Sequence, residues 1–488
     1  MNFRMASYVL GVISIIMAVA LLVPLFMAVG FAEGGLPIWY AVSIAIFLAV
    51  GIPLVIKKPK NTILNAKGGF ITVSIAWIWV SLITAIPFSL SHTLPNYFDA
   101  LFETISGFTT TGATILISIE TIPKSLLFLR SYTHWLGGMG ILVMLVAILP
   151  KADTSLVQAY KAEVPGMTFG KMVSKLKYTA RILYAIYIVL TILLFVMLVI
   201  GKMDPFDAII HTFSTAATGG FSNKAMSIGA YNNLYYEIVI LIFLLLFGTN
   251  FEVYFLILVG HFRAAMKKEE LWGFLGIFGV ATVLVTFILF IGKVYATFGE
   301  SLRFGSFQVA SIMTTTGFAS ADFTKWPAAA QTILILIMVI GGSSSSTAGG
   351  LKVSRFIILL KSAVRDIRKK ISPHTIKNIK YDGKILSDDT TTSVLSYFFL
   401  FTLILFSSVV LIALTTPLKG NGTLVTHVTA VITCFANAGP GLELVGPYGN
   451  YAFYSNFSKL ILSLNMLLGR LEIYPLLFLF YPKAWKKY

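Results

Sequence analysis

Four short stretches of this chain combine small, hydroxyl and glycine residues in an order that suits one kind of chemistry. They read YFDALFETISGFTTTGAT (Tyr97 to Thr114), PFDAIIHTFSTAATGGFSN (Pro205 to Asn223), FGSFQVASIMTTTGFASADF (Phe304 to Phe323) and LVTHVTAVITCFANAGPGLEL (Leu424 to Leu444). Each is an apolar segment that runs into small or hydroxyl residues and then glycine. The candidate positions are Thr110, Thr111 and Gly112; Ala217, Thr218 and Gly219; Thr315, Thr316 and Gly317; and Asn437, Ala438 and Gly439. A monovalent cation that leaves water needs several oxygens at once. Backbone carbonyls supply them without a full negative charge, so the ion can also depart. A backbone that aims successive carbonyls at an axis needs angles that glycine tolerates best. A preceding half-helix would point its partially negative end at the ion. One such string is ordinary turn chemistry. Four of them, each framed by two long apolar runs, argue for a selectivity filter closed as one ring.

The elements that must position these loops follow from hydropathy and charge. Apolar residues make up 57% of the 488-residue chain and charged residues only 12%, about half the charged share of soluble proteins. Ten runs are long enough to span a bilayer, near 8–30, 37–57, 68–93, 126–150, 179–201, 233–260, 271–296, 328–360, 390–416 and 457–482. The first lacks a small-residue cleavage site and is expected to be retained rather than removed as a signal peptide. The pore segments between later runs are about 10–12 residues, too short to cross, and fit re-entrant half-helices. The expected fold is therefore all-α and membrane-integral: about ten transmembrane helices, four re-entrant half-helices and a fourfold pseudosymmetric repeat of helix, half-helix, glycine loop and helix. The expected divisions are an extra N-terminal helix pair at 1–60 and pore repeats at 61–152, 172–262, 270–368 and 388–484.

The formal net charge of +17 would suggest nucleic acid in a soluble protein. Here the basic residues gather in alternate loops: after the second run (Lys57, Lys58, Lys60, Lys67), the fourth (Lys151, Lys161, Lys171, Lys175, Lys177), the sixth (Arg263, Lys267, Lys268) and the eighth. The last of these holds ten basic and two acidic residues between Lys352 and Lys384, and the tail adds Lys483, Lys486 and Lys487. The positive-inside rule then places both termini in the cytoplasm, with membrane lipid rather than nucleic acid as the surrounding partner. The single cysteine, Cys434, excludes an intrachain disulfide, and it reads with Phe435 as packing behind the fourth loop. Six scattered histidines make no metal-ligand spacing.

Two further features sit at membrane depth. Gly341, Gly342, Ser343, Ser344, Ser345, Ser346, Thr347, Ala348, Gly349 and Gly350 interrupt the eighth run. Glycine and serine are weak helix formers, so this run should break the helix there, giving either a gate or a small-residue packing face. A phosphate loop is excluded by the missing GK[ST] ending. A serine hydrolase would need a partnered base, and that run has no His or Asp. Arg470 lies about 16–20 Å of helix from Lys459 and from Lys483, too deep to snorkel. It reads as a functional charge or as half of a buried ion pair, with Glu252 a possible partner from another run. Glu252 itself reads as pairing with a basic residue near the cytoplasmic side, and Arg130 as an interfacial anchor. Asp322 and Glu443 read as solvated charges or local cation attractors. An organic-solute carrier would predict two broken helices in matching positions, and only the eighth run reads as strongly broken.

These loops, together with RSYTHWLGGMGI (Arg130 to Ile141), GTNFEVYF (Gly248 to Phe255), GGSSSSTAGGLK (Gly341 to Lys352) and LGRLEIYPLL (Leu468 to Leu477), resemble the Trk/Ktr/HKT superfamily of potassium transporters. The extra N-terminal pair favours the TrkH type, and the resemblance covers essentially the whole chain. It implies potassium as the transported and filter-bound ion, no organic cofactor, and no enzymatic activity. It also implies a gate in Gly341–Gly350, a pore arginine at Arg470, a homodimer in the bacterial cytoplasmic membrane, and a cytoplasmic TrkA-type nucleotide-binding ring. Some sodium-conducting plant relatives carry serine where this chain has Gly112, so the resemblance favours potassium.

Overall fold

The computed structural model describes residues 2–61, 66–140, 173–372, 378–417 and 422–485. Among these the chain is helical almost throughout, with one two-stranded hairpin, Lys380–Tyr381 paired antiparallel to Lys384–Ile385. Six helical stretches among the described residues are long and apolar enough to cross a membrane, and a bent pair makes a seventh.

A four-part unit recurs. In its first appearance the long stretch Lys67–Leu90 leads to a short helix, Tyr97–Phe108, an extended loop, and the helix Lys124–Gly138. The second runs Val173–Ile200, Pro205–Ala216, then Leu234–Gly248 and Phe251–Leu258. The third runs Glu269–Ile291, Phe298–Met313, then Ala328–Ile340 and Val353–Ile371. The fourth runs Asp388–Thr415, Leu424–Ala436, then Asn456–Arg470 and Ile473–Phe480. Each short helix starts on a side-chain cap, Asn96, Asp204, Thr297 and Thr423, which satisfies backbone N–H groups in its first turn.

The closing helices depart from expectation. The sequence marks one strong break, yet three closing helices are interrupted. The second bends by 85° at Thr249–Asn250, the third opens into Gly341–Lys352, and the fourth breaks at Leu471–Glu472, where Glu472 has φ +61. The lower part of the expected 126–150 run lies outside the described residues, as do Lys151, Lys161, Lys171, Lys377, Lys486 and Lys487. Apolar runs continue through these breaks, so hydropathy alone does not reveal them.

The N-terminal helices Phe3–Ala20 and Leu36–Ile56 meet at glycines: a Cβ on Gly11 would lie 3.0 Å from the Gly51 carbonyl oxygen. Close backbone approach of this kind holds helices together in lipid. The pair covers the first unit, with Trp79 Nε1 donating to Ser14 Oγ at 3.0 Å. The consequence is visible in burial, since 61% of Lys67–Leu90 is enclosed but only 22% of Asp388–Thr415. Outward faces of the other long helices carry exposed Leu, Ile, Val and Phe, as lipid contact requires.

Candidate functional site

The short helices all end alike. The N–H of Thr111, Gly219, Thr316 and Ala438 bonds back five residues to the carbonyl of Ser106, Ser214, Ser311 and Thr433, respectively. This closing bond is a Schellman ending, and it needs a left-handed residue just before the donor. Those residues are Thr110, Thr218, Thr315 and Asn437, with φ between +53 and +56. Asparagine tolerates that region, but a β-branched threonine there stores about 1–3 kcal/mol. The next-but-one residue is a glycine of positive φ in every case: Gly112, Gly220, Gly317 and Gly439, at +78 to +83.

The four loops meet around one axis. A Cβ on Gly112 would fall 2.1 Å from the Gly219 carbonyl oxygen; on Gly220, 1.9 Å from that of Thr316; on Gly317, 2.2 Å from that of Ala438; and on Gly439, 2.7 Å from that of Thr111. Each glycine thus seats the carbonyl of its neighbour, and the fourth loop returns to the first. The same four glycines line a cleft of about 60 Å³ with Thr114, Ser222 and Tyr451. The second loop corrects the expected register by one residue. Its equivalents are Thr218, Gly219 and Gly220, not Ala217, Thr218 and Gly219. Ala217 is the buried C-cap of the half-helix.

Buried side chains brace this ring. Arg130 Nε donates to Glu103 Oε1 at 2.7 Å, and both side chains are essentially inaccessible. The same guanidinium lies 4.0 Å from the Phe221 ring and donates to the Ser222 carbonyl and Thr114 Oγ1, tying the first loop to the second. Arg130 is therefore a strut behind the ring, not the interfacial anchor expected. His134, fully buried, contacts the Gly107 carbonyl through Nδ1 at 2.7 Å and accepts the Phe221 N–H on Nε2. The Asn437 amide donates to Thr111 Oγ1 at 2.9 Å and to the Met466 carbonyl. Tyr451 donates to the Gly439 carbonyl at 2.7 Å. Cys434 and Phe435 are buried as expected.

Directly beside the ring lies Gly341–Gly350. Gly349 N–H donates to Thr315 Oγ1 at 2.6 Å, and a Cβ on Gly349 would strike the Ala436 carbonyl. Thr218 Oγ1 reaches Thr347 Oγ1 at 3.3 Å. The segment is not helical. It is held by backbone bonds from Ser343 N–H to the Gly248 carbonyl and from Phe251 N–H to the Ser345 carbonyl. Arg470 joins this segment from the break in the fourth closing helix. It donates to the Thr347 carbonyl at 2.7 Å and to the carbonyls of Gly137 and Gly138. Glu252, the expected ion-pair alternative for Arg470, instead holds Lys268 at 3.1 Å, and the nearby Glu472 holds Arg355.

Comparison with known proteins decides the family. Residues 39–487 match the family model TrkH, described as a cation transport protein. The Trk system potassium uptake protein TrkH of Escherichia coli K12 is 34% identical over the whole of both chains, and TrkG of the same strain is 31% identical over 99% of each. The crystal structure of the potassium transporter TrkH from Vibrio parahaemolyticus superposes with a TM-score of 0.88 at 29% identity, covering both chains fully. This chain belongs to the TrkH family. The family is one of membrane cation transporters rather than enzymes, and the chain is a multi-pass membrane protein.

Two ion pairs of this TrkH-family chain escaped the sequence reading. Asp99 and Lys459 pair at 2.7 Å between the first half-helix and the fourth closing helix. Arg303 grips Glu237 with two bonds of 2.7 and 2.8 Å between the third half-helix and the second closing helix. Glu443 accepts from Thr423 and Thr426; burial opposes its charge, but these hydrogen bonds prevail and hold its carboxyl below the usual range. Asp322 caps a short turn through the Thr324 N–H and pairs with Lys325. A signal for Gly220 did exist: a hydroxyl stands six residues before the glycine in all four loops, as Ser106, Ser214, Ser311 and Thr433.

Proposed function

We propose that this protein takes up potassium across the bacterial cytoplasmic membrane through a single-chain pore. The ring of four carbonyl-bearing loops carries the reading. Thr110, Thr111 and Gly112 and their counterparts would replace the water shell of a potassium ion, with Thr218, Gly219 and Gly220 supplying the second loop. The half-helices are re-entrant and end at the ion, giving it their partially negative termini. The repeats at 61–152, 172–262, 270–368 and 388–484 form the pore behind an extra N-terminal pair. Both termini face the cytoplasm, a reading supported by the alternation of basic loops. The relatives' names, which specify potassium uptake by a Trk system, support the ion; a TrkA-type nucleotide-binding ring on the cytoplasmic face rests on the family resemblance. A homodimeric membrane unit rests on the family resemblance alone.

Gly341–Gly350 is the gate in this reading, and Arg470 is the pore charge that fixes it beneath the ring. No organic cofactor is involved. Expression in a bacterium that lacks potassium uptake should restore growth at low external potassium. Gly112→Ser should admit sodium, because its Cβ would push into the Gly219 carbonyl. Unchanged potassium preference in a flux assay counts against the filter. Removing part of Gly341–Gly350 should raise flux or abolish its control, and normal flux with normal control counts against the gate.

A further inference from the structure

Glu270 is an acidic residue with 4% of its surface exposed, and neither filter nor gate chemistry assigns it a task. It lies in the first turn of Glu269–Ile291. Its Oε1 accepts the N–H of Ser344 at 2.5 Å, inside the Gly341–Gly350 segment, and the N–H of Ser354 at 3.3 Å, just beyond it. Its Oε2 accepts Asn250 Nδ2 at 2.8 Å. Asn250 caps the lower half of the second closing helix through the Glu252 N–H. One carboxylate therefore grips both shoulders of the segment and the break of the neighbouring unit. The serine hydroxyls of Ser344 and Ser354 also bond to one another across it. Glu270 thus bonds the segment, the residue that follows it and the neighbouring break through a single side chain, while Lys352 Nζ, at the segment's far end, donates to the Ala348 carbonyl at 2.6 Å.

The same turn is tied to the cytoplasmic surface. The hairpin Lys380–Ile385 turns at Asp382 and Gly383, both of positive φ, as a two-residue Asp-Gly turn demands. Asp382 Oδ1 accepts the Glu269 N–H at 2.9 Å, and Oδ2 pairs with Lys268 at 3.2 Å. Lys268 also pairs with Glu252. Burial works against the Lys268 charge, but Glu252 and Asp382 prevail and hold its ammonium above the usual range. Lys361 joins the Glu269 carboxylate to the Lys380 carbonyl, so the helix after the segment is fastened to the hairpin as well. Displacing the hairpin pulls on the residue that precedes Glu270.

We infer that Glu270 is the positioning residue of the gate and that the hairpin Lys380–Ile385 is the handle by which a cytoplasmic partner moves it. This deepens the gate reading above and rests on it. The test measures position and flux separately. Ser346→Cys is placed in a Cys434→Ala background, and its labelling by a membrane-impermeant maleimide is timed in inside-out vesicles alongside potassium flux.

Glu270→Gln should speed labelling about tenfold, which corresponds to about 1.4 kcal/mol of lost hold, and should raise flux. Faster labelling with unchanged flux and control keeps Glu270 as the positioning residue and sinks the gate reading. Unchanged labelling in folded Glu270→Gln protein overturns the inference. Asp382→Asn, on the surface, should speed labelling about threefold, and no change there while Glu270→Gln responds removes the hairpin from the scheme. Should Glu270→Gln not accumulate, Glu270→Asp keeps the charge on a shorter arm. It should give about a threefold rise, and its failure to do so is equally decisive.

Discussion

In the four glycine loops of the ring each glycine faces a different loop, whereas in Gly341–Gly350 the two end glycines face each other. A Cβ on Gly350 would lie 2.6 Å from the Gly341 Cα, and one on Gly341 would lie 2.3 Å from the Gly349 carbonyl oxygen. Between loops, glycine lets four separate strands close a ring. Within one loop, it lets the chain cross itself. The surroundings differ as well. The ring is backed by the buried Glu103–Arg130 pair, by His134, by Tyr451 and by threonine hydroxyls bonded to one another, such as Thr314 with Thr316 at 2.8 Å. The crossing segment is held instead by polar contacts from several neighbours, among them Glu270, Arg470, Lys352, Thr315 and the Gly248 carbonyl. A structure backed by packed rings and a buried ion pair suits discrimination between ions of similar size. One of small residues held by hydrogen bonds, with almost no apolar side chains of its own, suits movement between two states.

The sharpest way to break this comparison is the second loop. Gly220→Ala puts a Cβ 1.9 Å from the Thr316 carbonyl oxygen at φ +82, where both backbone and neighbour resist. Potassium uptake should fall at least about tenfold, as left-handed geometry alone costs about 1–2 kcal/mol before the overlap is counted. Gly219→Ala meets the His134 ring first, at 2.5 Å, and its φ is not positive. It should do less harm, and His134→Ala should partly rescue it. Should Gly219→Ala be the more damaging in the same uptake assay, the second loop does not present Thr218, Gly219 and Gly220 to the ion.

The distinction between ring and segment was partly legible in the sequence. The four loops, their glycines and the Gly/Ser-rich interruption stand out because composition changes sharply there. The register of the second loop was lost because Gly219 and Gly220 are adjacent and a glycine count does not choose between them; the hydroxyl at Ser214 does. The breaks at Thr249–Asn250 and Leu471–Glu472 were not legible, since only one or two residues carry each and hydropathy averages over many more. Arg130 was misread because an arginine near the end of an apolar run usually snorkels. Its partner Glu103 lies 27 residues away on a different helix, a pairing that linear spacing does not reveal.

A second pair of substitutions separates holding from moving. Arg130→Met leaves Glu103 buried with its charge uncompensated, which costs about 3–5 kcal/mol. The thermal midpoint of the purified protein in detergent should drop sharply, and uptake should drop with it. Arg470→Met removes bonds to the neutral carbonyls of Thr347, Gly137 and Gly138, whose loss costs less than leaving a buried carboxylate without its cation. Its effect should appear first in flux, as higher or uncontrolled transport, with a smaller shift in midpoint. If the two variants lose midpoint and flux in the same proportion, ring and segment are one mechanical unit.

The smallest effect probes how far the ring is over-determined. Tyr451 donates to the Gly439 carbonyl at 2.7 Å and bonds Thr433 Oγ1 at 2.8 Å. Tyr451→Phe keeps the ring plane, and with it the contact to Phe102 at 5.5 Å, while deleting both bonds. The loss is about 0.5–1.5 kcal/mol for each neutral hydrogen bond, small enough for folding to survive. A ring held from many sides should keep its selectivity and lose only a little uptake, about twofold. A collapse of potassium-over-sodium preference in Tyr451→Phe would mean that the Gly439 carbonyl is aimed by this single hydroxyl. The fourth loop, whose left-handed residue is Asn437 rather than threonine, would then be the compliant quarter of the ring.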